Sequence, residues 1–194
     1  MVFEGEEAFA FDINDVWQAL HNTDVLTRSI PGCKSMTALG NNMYAVSLSL
    51  GVAAVRGDYE GKVKVIDVKA PVHYVIEGEG AGAPGFVKLS MDCRLEPHEA
   101  GTLMKWKCDA TVGGLIASIG GKVLSGISKF MAKQFFKAFK DEMRRLASAT
   151  QDDATTSASS HSTLVRPTAP VDNVPSMSWF THFSSWLRRL FFRK

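Results

Sequence analysis

Cysteine is scarce: Cys33, Cys93 and Cys108 are the only three in 194 residues. An odd number at wide spacing, with no CxxC, argues against a disulfide frame or a cysteine zinc site. It predicts small core or near-core thiols in a reducing compartment. His21, His73, His98, His161 and His182 are scattered, without HxxE or HExxH spacing, so no metal site is expected. No serine or cysteine sits in a nucleophile motif. Asp12 and Asp15 read as helix-start residues rather than a catalytic pair, and catalysis has no foothold. No stretch approaches the ~18 consecutive apolar residues needed to span a bilayer. The opening "MVFEGEEAFAF" carries acids where a secretory signal would carry bases, which points to a cytoplasmic protein.

One-sided charge is also lacking through most of the chain. Residues 1–147 hold 17 Lys/Arg and 17 Asp/Glu, so nothing in them resembles a nucleic-acid binder. Residues 148–176 are Ser, Thr, Ala, Pro and Asp with almost nothing to bury, and read as a disordered linker. Residues 177–194 carry Arg188, Arg189, Arg193 and Lys194 and no acid.

What is present in residues 1–147 is alternation. Val2–Phe11 reads as a strand. "NDVWQAL" reads as a helix capped by Asn14 or Asp12, and Asp24 as the cap of a second short helix through Ser29, stopped by Pro31 and Gly32. Period-two runs follow. They are Tyr44, Val46, Leu48 and Leu50; Tyr59, Val63 and Val65; Val72, Tyr74 and Ile76; Val87 to Leu95; and Met104 to Val112. Asn41-Asn42 and Glu99-Ala100-Gly101 supply turns. After Gly113-Gly114 the period changes: Ile116, Ile119, Val123, Ile127, Phe130 and Met131 recur at three and four, in a helix to about Leu146. The class is α+β, a curved antiparallel sheet of about six to seven strands gripping a long C-terminal helix.

That order matches the START-like helix-grip fold of the SRPBCC superfamily. "DVWQALHNTDVLTRSIPGC" resembles the G-subunit family of carbon monoxide dehydrogenase, through Val16, Trp17, Leu20, Ile30, Pro31, Gly32 and Cys33. "YEGKVKV" and "GEGAGAPG" add to the likeness. The resemblance covers about residues 1–147. It implies a non-enzymatic factor recruiting carbon monoxide dehydrogenase, or a related molybdenum hydroxylase, to the cytoplasmic membrane. It also implies a cavity for a lipid or a respiratory quinone (menaquinone or ubiquinone), with no covalent cofactor. Ile30, Pro31, Gly32 and Cys33 are the candidate partner contact. An anchoring factor with no ligand, and an enzyme acting on an apolar small molecule, stand as alternatives.

Two stretches need separate weighing. "EGEGAGAPGF" (Glu77–Phe86) has glycine spacing reminiscent of a phosphate loop, but a strand rather than a helix N-terminus follows, so nucleotide binding is set aside. It is expected to be a flexible hairpin whose glycines permit bulges or positive φ. A sheet gripping one helix tends to leave an apolar space, and methionine linings adapt to varied ligands. The predicted lining is Val46, Leu48, Tyr59, Tyr74, Met91, Met104 and Trp106, closed by Ile127 and Met131, with Tyr59 or Tyr74 donating to a ligand carbonyl.

The last seventeen residues read as an interfacial helix. Trp179, Phe183, Trp186, Leu187 and Leu190 share one side with Phe180 and Phe191 at its edge, and Arg188 and Arg189 lie opposite. Arg193 and Lys194 extend past the end. Aromatics at headgroup depth and bases facing anionic lipid make this a peripheral anchor at the cytoplasmic face of the membrane.

Overall fold

The structure, a computed structural model, describes residues 1–52 and 55–158. Strand β1 (Val2–Phe9) leads into two short helices, α1 (Ile13–Leu20) and α2 (Thr23–Ser29). Six strands follow: β2 (Cys33–Gly40), β3 (Met43–Leu50), β4 (Gly57–Lys69), β5 (His73–Gly82), β6 (Gly85–His98) and β7 (Gly101–Gly114). A 3₁₀ turn (Leu115–Ile119) then precedes α3 (Gly121–Ala158). The strands form one antiparallel sheet in the order β1-β7-β6-β5-β4-β3-β2, open at β1 and β2. The expected α+β helix-grip architecture is present.

Local chemistry sets the boundaries. Asp12 begins α1, its carboxylate accepting the Asn14 N–H at 2.8 Å. For α2 the cap is Asn22, whose side-chain oxygen accepts from the N–H groups of Asp24 and Val25. The expected cap Asp24 instead stands in the first turn, where a carboxylate favours the helix dipole. Asn41 and Asn42, at φ 51° and 56°, make the tight β2–β3 turn in the left-handed region that asparagine tolerates. Strand β2 has no run of its own in the sequence reading, because most of its side chains are exposed on both faces and no alternation results.

Three expectations about the C-terminal helix need correcting. The spacing that joined Ile116 and Ile119 to Val123 crosses Gly120, whose φ of +88° ends the 3₁₀ turn. The register of α3 is also shifted from the one expected. Leu124, Phe136, Phe139 and Met143 are buried, whereas Val123 and Phe130 are 51% and 49% exposed. The helix continues past Leu146 to Ala158, into the stretch read as linker. The rest of that stretch, and the tail helix expected over 177–194, lie outside the described residues.

The interior is two clusters rather than one. The first joins Phe9 to Val16, Leu20, Val25, Tyr74, Cys93, Leu95, Met104, Phe136, Phe139 and Met143. Its centre is aromatic: Phe9 meets Phe139 edge-on at 5.7 Å and Phe136 at 6.1 Å, geometries that aromatic quadrupoles favour. The second is Val55, Tyr59, Ile116 and Leu124, with Leu48, Leu50, Val87, Val112 and Ile127 packed against it. Ion pairs fix α3 over the first: Lys140 to Glu7 of β1, and Arg28 of α2 to Glu142 at 2.6 Å.

Candidate ligand-binding hollow

Along each strand, alternate residues face α3, and their burial changes with position. Near the first cluster Tyr74, Cys93 and Met104 are closed off; near the second, Tyr59 and Ile116 are. Between the clusters, Val63, Leu89 and Cys108 point the same way, yet all three are only half-buried and pack in neither cluster. Met131 on α3 is likewise half-buried and in neither. An inward apolar position that is still wetted marks space the core does not fill. Glycine enlarges it: Gly61 pairs with Gly80, and Val63 with Gly78, so inward positions of β4 and β5 carry no side chain. Glu77–Phe86 forms the expected hairpin, between β5 and β6, with Gly85 at φ +143°; Gly78 and Gly80 lie in its regular β5 arm rather than at bulges. At Gly61 and Gly82 the two backbones approach closely, whereas at Gly78 a Cβ would meet the Leu89 side chain at an ordinary 3.4 Å. A Cβ on Gly61 would sit 2.6 Å from the Glu79 carbonyl oxygen, and one on Gly82 would sit 2.2 Å from that of Asp58.

The predicted lining divides into two groups. Tyr74 and Met104 are part of the first cluster, with Met91 and Trp106 packed on it. Tyr59 is part of the second, with Leu48 and Ile127 packed on it. Val46 is buried beside Gly61 on the neighbouring strand, and Met131 faces the space between. These residues therefore form the ends of the hollow more than its middle. Sequence reasoning missed the middle, Val63, Leu89, Cys108 and the glycines. The sequence carries no signal for them, because only the β4–β5 register brings the inward glycines together.

The hydroxyls of Tyr59 and Tyr74 are engaged. Tyr59 donates to the Val55 carbonyl at 2.8 Å. Burial holds the Tyr74 hydroxyl well above the usual phenol range, with the Cys93 thiol as its hydrogen-bonding neighbour. Burial also pushes the Cys93 thiol up to about 12, and raises those of Cys108 and Cys33. None is a poised nucleophile, since a reactive cysteine needs a stabilised thiolate. Ser128, half-buried and four residues beyond Leu124, forms no hydrogen bond among the described residues.

The other sites fall elsewhere. Gly32, in the Ile30–Cys33 turn, has φ +74°, and a Cβ there would lie 2.3 Å from the Ser49 carbonyl oxygen; the turn thus serves β2–β3 packing whatever else it contacts. Two open grooves of about 670 and 480 Å³ run along β1. Both are rimmed by charge, and neither is the apolar hollow. Among the described residues no group of His, Cys, Asp or Glu could hold a metal ion. No helix there is long and apolar enough to cross a membrane.

Residues 5–144 match the carbon monoxide dehydrogenase G-subunit (CoxG) family. The chain belongs to that family. A conserved protein from Geobacillus kaustophilus is similar, with 33% identity over 75% of this chain and 96% of that one, at a TM-score of 0.73. A START superfamily protein from Mycobacterium smegmatis shares the fold at 11% identity and TM-score 0.60, over 75% of this chain and 98% of that one. A protein from Thermus thermophilus shares it at 7% and 0.58, over 75% and 99%. No curated protein matches the chain. The family's name refers to carbon monoxide dehydrogenase, and the START superfamily protein shares the fold.

Proposed function

We propose that this chain is a non-catalytic carrier and adaptor. It holds the apolar chain of a respiratory quinone in the hollow and docks on a carbon monoxide dehydrogenase or related molybdenum hydroxylase. The 177–194 tail tethers it to the cytoplasmic face of the membrane. The observation that carries the reading is the set of half-buried apolar residues, Val63, Leu89 and Cys108, on the inner sheet face between the two clusters. A polyisoprenoid needs a long greasy surface and very few polar groups. A quinone head adds two carbonyl acceptors, for which the buried, unpartnered Trp106 indole N–H and the Ser128 hydroxyl are available donors. Carbon monoxide oxidation releases electrons, and a mobile quinone brought to the enzyme would accept them.

The test is extraction of the purified full chain, made in quinone-producing cells, into organic solvent, with mass spectrometry of the extract. A quinone or other polyisoprenoid at near one per chain is the expected result. A clean extract would leave only the anchoring role. The tether is tested separately: deleting Met177–Lys194 should markedly weaken membrane association, and high salt should do likewise in the full chain.

A further inference from the structure

The outward face of α3 combines apolar and basic residues that the fold leaves unused. Val123 and Phe130, each about half exposed, are seven residues apart and so share one side of the helix. Gly126 lies between them, with nothing within 4 Å of where a Cβ would stand. Lys122, Lys129, Lys133 and Lys137 flank this stripe on one side, and none forms an ion pair or hydrogen bond among the described residues. From Ala110 to Lys140 the chain has five lysines and no acid; only Lys140 is paired, to Glu7. Glu4 and Glu6 share a groove of about 480 Å³ with Lys129, Lys133 and Lys137 without pairing to them, so the row keeps its charge for an external anion.

We infer that this face of α3 is a second contact for an anionic bilayer, separate from the tail. An apolar stripe of one aliphatic and one aromatic side chain, with lysines beside it, is the make-up of a helix lying in the headgroup region. Lysine stems reach along such a surface and keep their charges at lipid phosphates. A protein partner fits less well, because protein interfaces are depleted in lysine and favour arginine, and every base on this face is lysine. Ile127 and Met131 are next around the wheel from the stripe, leading towards the hollow. A bilayer held against α3 would therefore lie at the hollow's rim, and a ligand would pass between them along the edge of the helix. That passage rests on the carrier reading; the contact itself does not.

The test uses the full chain carrying Cys33→Ser and Cys108→Ser, with an environment-sensitive fluorophore on Phe130→Cys or, independently, on Val123→Cys. A matched chain labelled at Ser184→Cys reports the tail. Vesicles of phosphatidylcholine mixed with phosphatidylglycerol should shift the α3 probes to the blue, and phosphatidylcholine alone should shift them far less. Lys129→Gln, Lys133→Gln and Lys137→Gln together should raise the lipid needed for half the α3 shift roughly a hundred-fold. Silent α3 probes overturn the proposal, whatever the tail does. So does a shift produced only by a molybdenum hydroxylase, which would make the face a protein interface. A clean solvent extract, by contrast, would remove the quinone and leave this result untouched.

Discussion

Met104 and Met131 are the same residue type in different surroundings, one 3% exposed within the first cluster and the other half-buried between clusters. Met104→Trp should overpack the cluster and lower stability by ~1–3 kcal/mol in chemical denaturation. Met131→Trp should be near neutral by the same measurement, yet reduce the ligand recovered by extraction. Equal destabilisation by both would mean that the middle is packed. Cys93 allows a pH prediction. Its folded thiol titrates at about 12 against an ordinary 9.0, so between those values the unfolded chain releases a proton that the native chain keeps. Stability is therefore full below about pH 9 and is lost as pH rises towards 12. Cys93→Ala should flatten that alkaline fall in urea midpoints, whatever it does to stability at pH 7; an unchanged slope would assign the fall to Tyr74 or other groups.

In α3, Gly126 is a helix-interior glycine with open space around it. Gly126→Ala should raise stability by ~1 kcal/mol, read as a higher denaturation midpoint. Gly120 should give no such gain, because its φ is +88°. Elements were legible in the sequence wherever burial was one-sided. Strands β3 to β7 alternate because one face meets the interior, and α1 announced itself by Asp12 before an apolar stripe. Strand β2 was not legible because an edge strand with little buried on either face has no period. The phase of α3 was misjudged because apolar residues occupy both sides of it: the outward Val123 and Phe130 fit a three-four spacing as well as the buried Leu124, Phe136 and Phe139 do. The ends of the hollow were legible as large apolar residues. Its middle was not, since glycine and half-buried valine or leucine give no composition signal, and only the pairing of β4 with β5 brings Gly61 and Gly80 together.

Within residues 1–157 one cluster centres on aromatic rings and the other is mostly aliphatic, with Val63, Leu89 and Cys108 half-buried between them. A ligand filling the middle would bind only the folded chain, and at a hundred times its dissociation constant would add about 2.7 kcal/mol to stability. The expected signature is a higher and sharper thermal transition for protein isolated with its extractable lipid than for the same protein after delipidation. An identical transition would argue that nothing bridges the clusters. The two-cluster interior then has a consequence inside the cell. Empty chains would open more often and be degraded sooner by housekeeping proteases than loaded ones. On the carrier reading, abundance would follow the supply of the ligand without any dedicated sensor, and cells starved of quinone should then show shortened half-lives of this protein at unchanged synthesis.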